Sequence, residues 1–123
     1  MTKNIKIQWL DEPEEHNYPA AKSYLSLLFK GSAARELVRK LRKAPATEFK
    51  AKDIFRASRL SLLGVSNSHV QKDQRRIRAG KSLSPILLVR DRRNGTVVIA
   101  DGYHRLCAVY SFDEDAVVRC KII

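Results

Sequence analysis

At 123 residues the chain suits one compact domain, and its 44% of apolar residues excludes wholesale disorder. Its apolar runs fall short of the ~18 residues needed to cross a bilayer, so no membrane span is expected. The net charge of +11 is concentrated between Lys22 and Arg93, where 19 Lys and Arg stand against 5 acids, a local +14.

Such a field attracts nucleotides, nucleic acid or anionic surfaces without choosing among them. Met1-Thr2-Lys3-Asn4-Ile5 leads straight into charged sequence with no visible secretory signal. Cys107 and Cys120 lack CxxC or metal-ligand spacing, which predicts reduced thiols in a cytoplasmic protein.

In chain order, Lys6-Ile7-Gln8-Trp9-Leu10 alternates and predicts a short strand or extended lead-in, followed by the acids Asp11-Glu12 and Glu14-Glu15. Pro19 can start a helix, with Ala21, Tyr24, Leu25 and Leu28 at helical spacing and Gly31 at its end. Ser32 is a candidate N-cap for a second helix with the apolar stripe Ala34, Leu37, Val38 and Leu41. The opposite face carries Arg35, Arg39, Lys40, Arg42 and Lys43, and Pro45 follows.

Thr47-Glu48-Phe49-Lys50-Ala51 predicts a strand, with a helical turn around Asp53-Ile54-Phe55. Residues 58–67 hold Gly64 and several serines and predict an irregular segment. A helix then runs from a cap at Asn67 or Ser68 to Gly80, which suits the position just past a helix end. Pro85-Ile86-Leu87-Leu88-Val89-Arg90 predicts a strand, and Arg92-Arg93-Asn94-Gly95 a hairpin turn in which Asn-Gly favours positive φ. Residues 96–100 form the return strand, 103–112 a helix and 116–123 a last strand. The fold class is α/β (α+β), with a small mixed sheet. The chain divides into a helical N-terminal extension packed on the domain (1–46) and the domain itself (47–123).

The stretch Ile99-Ala100-Asp101-Gly102-Tyr103-His104-Arg105 is a strand-to-helix junction. Glycine lets the backbone bend there and lets an anion approach without meeting a Cβ. The first N–H groups of a helix lack internal partners and carry the positive end of its dipole. His104 and Arg105 add donors, and Arg can hold phosphate through two parallel bonds. An arginine facing a ligand there is expected to matter little for stability. Asp101 can cap the helix, help position a Mg²⁺ ion carried by a nucleotide, or serve as a base. On the preceding helix, His69, Lys72 and Arg76 fall within about 60° of one another as one polar stripe, anchored by Val70 and Ile77.

These residues and the order of elements resemble the ParB/sulfiredoxin superfamily over residues 48–123. The likeness runs through Glu48-Phe49-Lys50-Ala51-Lys52-Asp53-Ile54-Phe55, the helix 70–79 and Leu83-Ser84-Pro85-Ile86-Leu87-Leu88-Val89. It is strongest at Ile99-Ala100-Asp101-Gly102-Tyr103-His104-Arg105-Leu106-Cys107-Ala108. The resemblance implies nucleotide binding, with Gly102, Tyr103, His104 and Arg105 at the phosphates, assisted by His69, Lys72 and Arg76. A nucleoside triphosphate or diphosphate, with Mg²⁺, is the implied cofactor, and hydrolase or phosphotransferase chemistry would use Asp101. Tyr103 stands where sulfiredoxins carry their catalytic cysteine, so sulfinic acid repair is not expected. Cys107 reads as a core thiol. No set of metal-binding carboxylates is visible. The alternative is a DNA-binding or partition-like module, with Arg35, Arg39, Lys40, Arg42 and Lys43 contacting backbone phosphates.

Overall fold

The computed structural model describes residues 5–61 and 67–123. Among these the chain forms α1 (Asn17–Leu28), α2 (Gly31–Lys43), β1 (Thr47–Lys50), α3 (Ala51–Ser58) and α4 (Ser68–Arg78). There follow β2 (Ile86–Asp91), β3 (Thr96–Asp101), α5 (Tyr103–Phe112) and β4 (Val117–Ile122). The strands make one mixed sheet in the order β1-β4-β2-β3. β4 runs antiparallel to β1 and parallel to β2, and β2 pairs antiparallel with β3.

β2 lies inside this sheet and is covered on both faces, which is why it reads as an unbroken apolar run. Ile86 and Leu88 enter a core shared with α3, α4 and α5, while Leu87 and Val89 face α1 and α2. The same two-residue alternation sends Ile99 to the first core and Ala100 to the second. On β4, Val118 and Cys120 join the first core, and Lys121 turns toward Tyr18. The helices of residues 1–46 therefore form one layer against the sheet: Tyr18, Ala21, Leu25, Ala34, Val38 and Leu41 pack on Leu87, Val89 and Ala100.

Lys121 is 2% exposed, and its ammonium is satisfied by Glu12 Oε1 at 2.8 Å and the Arg42 carbonyl at 2.9 Å. A buried lysine requires such partners, because desolvation otherwise favours its neutral form.

Several local expectations need correction. The apolar seam of α1 runs through Tyr18, Ala21 and Leu25, while Tyr24 and Leu28 are 42% and 50% exposed. Gly31 does not end this helix. The break falls at Phe29 and Lys30, both extended, where Phe29 packs into the α1–α2 core. Gly31 then opens α2, with Lys30 rather than Ser32 in the N-cap position. Of the two readings for residues 6–10 the structure has the lead-in and not the strand, with Trp9 alone bridging in parallel to Leu83. Two backbone bonds, Leu10 N–H to the Leu83 carbonyl and Leu83 N–H to that of Gln8, hold this lead-in. In the hairpin, Gly95 takes φ +66° but Asn94 does not take positive φ; Asn94 instead donates through its amide to Asp91. The central part of the segment read as irregular, residues 62–66, lies outside the described residues, as do Met1 to Asn4.

Candidate functional site

Three local devices shape the junction between β3 and α5. The register of the β2–β3 pair slips between Leu87↔Asp101 and Leu88↔Ile99, so Ala100 is an extra residue in a bulge. A bulge bends its strand and re-aims the side chains beyond it. Gly102 follows with φ +111°, and a Cβ there would lie 2.8 Å from Ile86 Cγ1 and 2.9 Å from an Arg105 guanidinium nitrogen. The first bond within α5 runs from Leu106 N–H to the Gly102 carbonyl, so the amides of residues 103–105 precede the helical ladder.

Asp101 is not the helix cap. Gly102 occupies that position with no capping side chain, and Asp101 Oδ2 instead accepts from Arg105 Nη2 at 3.1 Å. The bulge places this carboxylate one helical turn from Arg105, at an (i, i+4) spacing. Arg105 also donates to the Pro85 carbonyl at 3.4 Å, while its buried Nε has no hydrogen-bond partner among the described residues.

The second wall is α4. Its start is fixed by Asn67, whose side chain accepts from the amides of His69 and Val70. Its end is fixed by Gly80 at φ +74°, with Gly80 N–H bonded to the Ile77 carbonyl and Lys81 N–H to that of Arg76. Val70 and Ile77 bury one side of the helix, and Gln74 donates to Ser111 on α5 at 2.9 Å. The polar stripe is thereby turned toward α5. The His69 and His104 rings stand 4.8 Å apart, tilted by 39°.

Between these walls lies a cavity of about 250 Å³. His69, Lys72 and Arg76 line it together with Asp101, Gly102, Tyr103, His104 and Arg105. Every residue assigned from sequence to the nucleotide site thus reaches one cavity. The Tyr103 hydroxyl, however, donates to the Ser61 carbonyl.

Four further lining residues are Glu14, His16, Asp73 and Ser84. Asp73 stands four residues after His69, a spacing that puts it on the same side of α4. Glu14 and His16 carry no such signal. They arrive because Glu14 N–H donates to Ser84 Oγ, whose hydroxyl donates in turn to Asn17 Oδ1.

The lining holds three permanent cations, Lys72, Arg76 and Arg105, against the carboxyls of Glu14, Asp73 and Asp101, with three imidazoles beside them. Burial raises the pKa of Asp73 against the pull of Arg105, Arg76, His104 and Lys72. Burial and the neighbouring His69 lower that of His104, against Asp73.

The five basic residues of α2 do not line this cavity. Arg39 pairs with Glu36, and Arg42 pairs with Glu15 at 2.5 Å while lying over the Tyr18 ring. Arg35, Lys40 and Lys43 are exposed. Among the described residues no group of three or more His, Cys, Asp and Glu side chains is arranged to hold a metal ion, and no helix is long and apolar enough to cross a membrane. The sequence matches no protein-family model, no curated protein and no solved structure at a significant level.

Proposed function

We propose that the cavity between α4 and α5 binds the phosphates of a nucleoside triphosphate or diphosphate, in a domain of the ParB/sulfiredoxin type. The observation that carries this reading is convergence. Two segments some thirty residues apart, the α4 stripe and the Gly102 junction, put Lys72, Arg76, Arg105, two histidines and the start of α5 around one polar cavity. Cationic forks, rotatable ammonium donors and helix N–H groups suit phosphate oxygens.

The donor set fits phosphate better than a bare cation, so Mg²⁺ would enter with the nucleotide and be held mainly by phosphate oxygens and water. The reading is one of binding, because Asp101, the acid expected to act as a base, is held by Arg105. The fold supports it in outline: a four-stranded mixed sheet with a strand–glycine–helix junction between β3 and α5. The basic residues of α2 do not converge on this cavity, so the DNA reading has no comparable support.

Calorimetric titration with ATP, CTP, GTP, ADP and inorganic tripolyphosphate, with and without Mg²⁺, tests the proposal. Replacing Lys72 and Arg76 with Gln removes two charge-assisted contacts, each of about 1.5–3 kcal/mol, and is expected to weaken binding at least a hundredfold. Binding unaltered by the double substitution would place the anion elsewhere.

A further inference from the structure

A second cavity, about 430 Å³, adjoins the first and shares Asp101, Gly102, Tyr103 and His104 with it. Its other walls are Ala20 and Tyr24 of α1, Leu60 after α3, and Ile99 and Ala100 of β3. The two differ in chemistry: charged and imidazole side chains line the first, while alkyl groups and the Tyr24 ring dominate the second. Tyr24 is 42% exposed and Leu60 43%, so each presents an uncovered apolar surface beside the site. Tyr103 lines both cavities, with its hydroxyl held by the Ser61 carbonyl.

Resting on the phosphate reading of the first cavity, we propose that the second receives the base of the nucleotide, stacked against Tyr24 of the N-terminal helical layer. Such a ligand lies across the Gly102–His104 ridge, phosphates toward α4 and ring toward α1. The polar cavity alone is smaller than the ~300–1,000 Å³ of ordinary small-molecule sites, whereas the two together fall within that range. An apolar lining stacks a ring without reading its hydrogen-bonding edge, so purine and pyrimidine nucleotides are both accepted. The N-terminal helices then do more than cover the sheet: α1 supplies the affinity that separates a nucleotide from a bare polyphosphate.

The test compares ATP, GTP, CTP, UTP and inorganic tripolyphosphate by calorimetric titration on the full chain and on Tyr24→Ala and Tyr24→Phe. In the wild type the four nucleotides are expected within a few-fold of one another and tighter than tripolyphosphate. Tyr24→Ala weakens the nucleotides about tenfold, toward the tripolyphosphate value, and Tyr24→Phe restores them. Tripolyphosphate binding stays unchanged in both variants. Nucleotide affinity unaffected by Tyr24→Ala, with tripolyphosphate still bound, overturns the base site and leaves the phosphate site standing. Equal loss of both ligands also overturns it, since Tyr24 would then act through the phosphate site or the fold. Absence of binding by every ligand overturns both readings together.

Discussion

Replacing Arg105 with Ala is expected to cost substantial stability, contrary to what a ligand-facing arginine at a helix start implies. Arg105 and Asp101 are 16% and 17% exposed, and the 3.1 Å contact between them accounts for the carboxylate's position at the bulge. Removing the guanidinium leaves a largely desolvated carboxylate with no countercharge. Breaking a fully buried pair costs about 3–5 kcal/mol, and the residual exposure here brings the expected loss to about 2–3 kcal/mol. At roughly 4 °C per kcal/mol for a domain of this size, the melting temperature falls by ~8–12 °C. The double variant Asp101→Asn with Arg105→Met removes both charges and keeps the volume, so it is expected within about 1 kcal/mol of the wild type. Urea unfolding of the wild type, Arg105→Met, Asp101→Asn and the double variant completes the cycle, with a coupling energy of at least about 1.5 kcal/mol. Additive single effects, or an Arg105→Ala protein as stable as the wild type, would refute the argument.

Gly102→Ala combines a strained φ with a Cβ pressed on Ile86 and Arg105, and is expected to destabilise by about 2–4 kcal/mol in the same urea assay. Asp73→Asn is expected to raise the melting temperature at pH 7. Because burial raises the native pKa of Asp73, wild-type stability falls as pH rises from the unfolded value of ~3.9 through the native one. The gain from Asn is therefore present at neutral pH and vanishes below about pH 3.9, as melting curves across that range would show. Both cysteine side chains are fully buried and burial pushes Cys120 up to about 12, so a disulfide-exchange reagent at pH 8 should label neither thiol until denaturant is added.

Much of the site was legible because its parts are local patterns. His69, Lys72 and Arg76 recur at helical spacing, and the Asn67 and Gly80 signals bound their helix nearly where the chain does. Gly102 announces itself by standing between an apolar strand and an apolar helix. The bulge at Ala100 was not legible, since no residue type demands it, and with it went the pairing of Asp101 with Arg105. The spacing of Ala21, Tyr24, Leu25 and Leu28 predicts a helix without showing that Tyr18 completes its buried seam, because two stripes one turn apart differ little in pattern. Glu14 and His16 were invisible for another reason. A hydroxyl seventy residues away sets their place, through the Ser84 bonds to the Glu14 amide and the Asn17 side chain.

The place of β4 in the sheet bears on the order in which the chain can mature. It is the last of the described strands to be synthesised, yet it sits between β1 and β2, pairing Thr47 with Cys120 and Ile86 with Cys120. Until it emerges from the ribosome, β1 has no strand beside it, and only the β2–β3 hairpin can close. The apolar faces of β2 must wait in a half-built sheet, in contact with whatever else is near. A polypeptide halted before residue 117 would thus contain the complete Gly102 junction and both its neighbouring helices, but no continuous sheet beneath them.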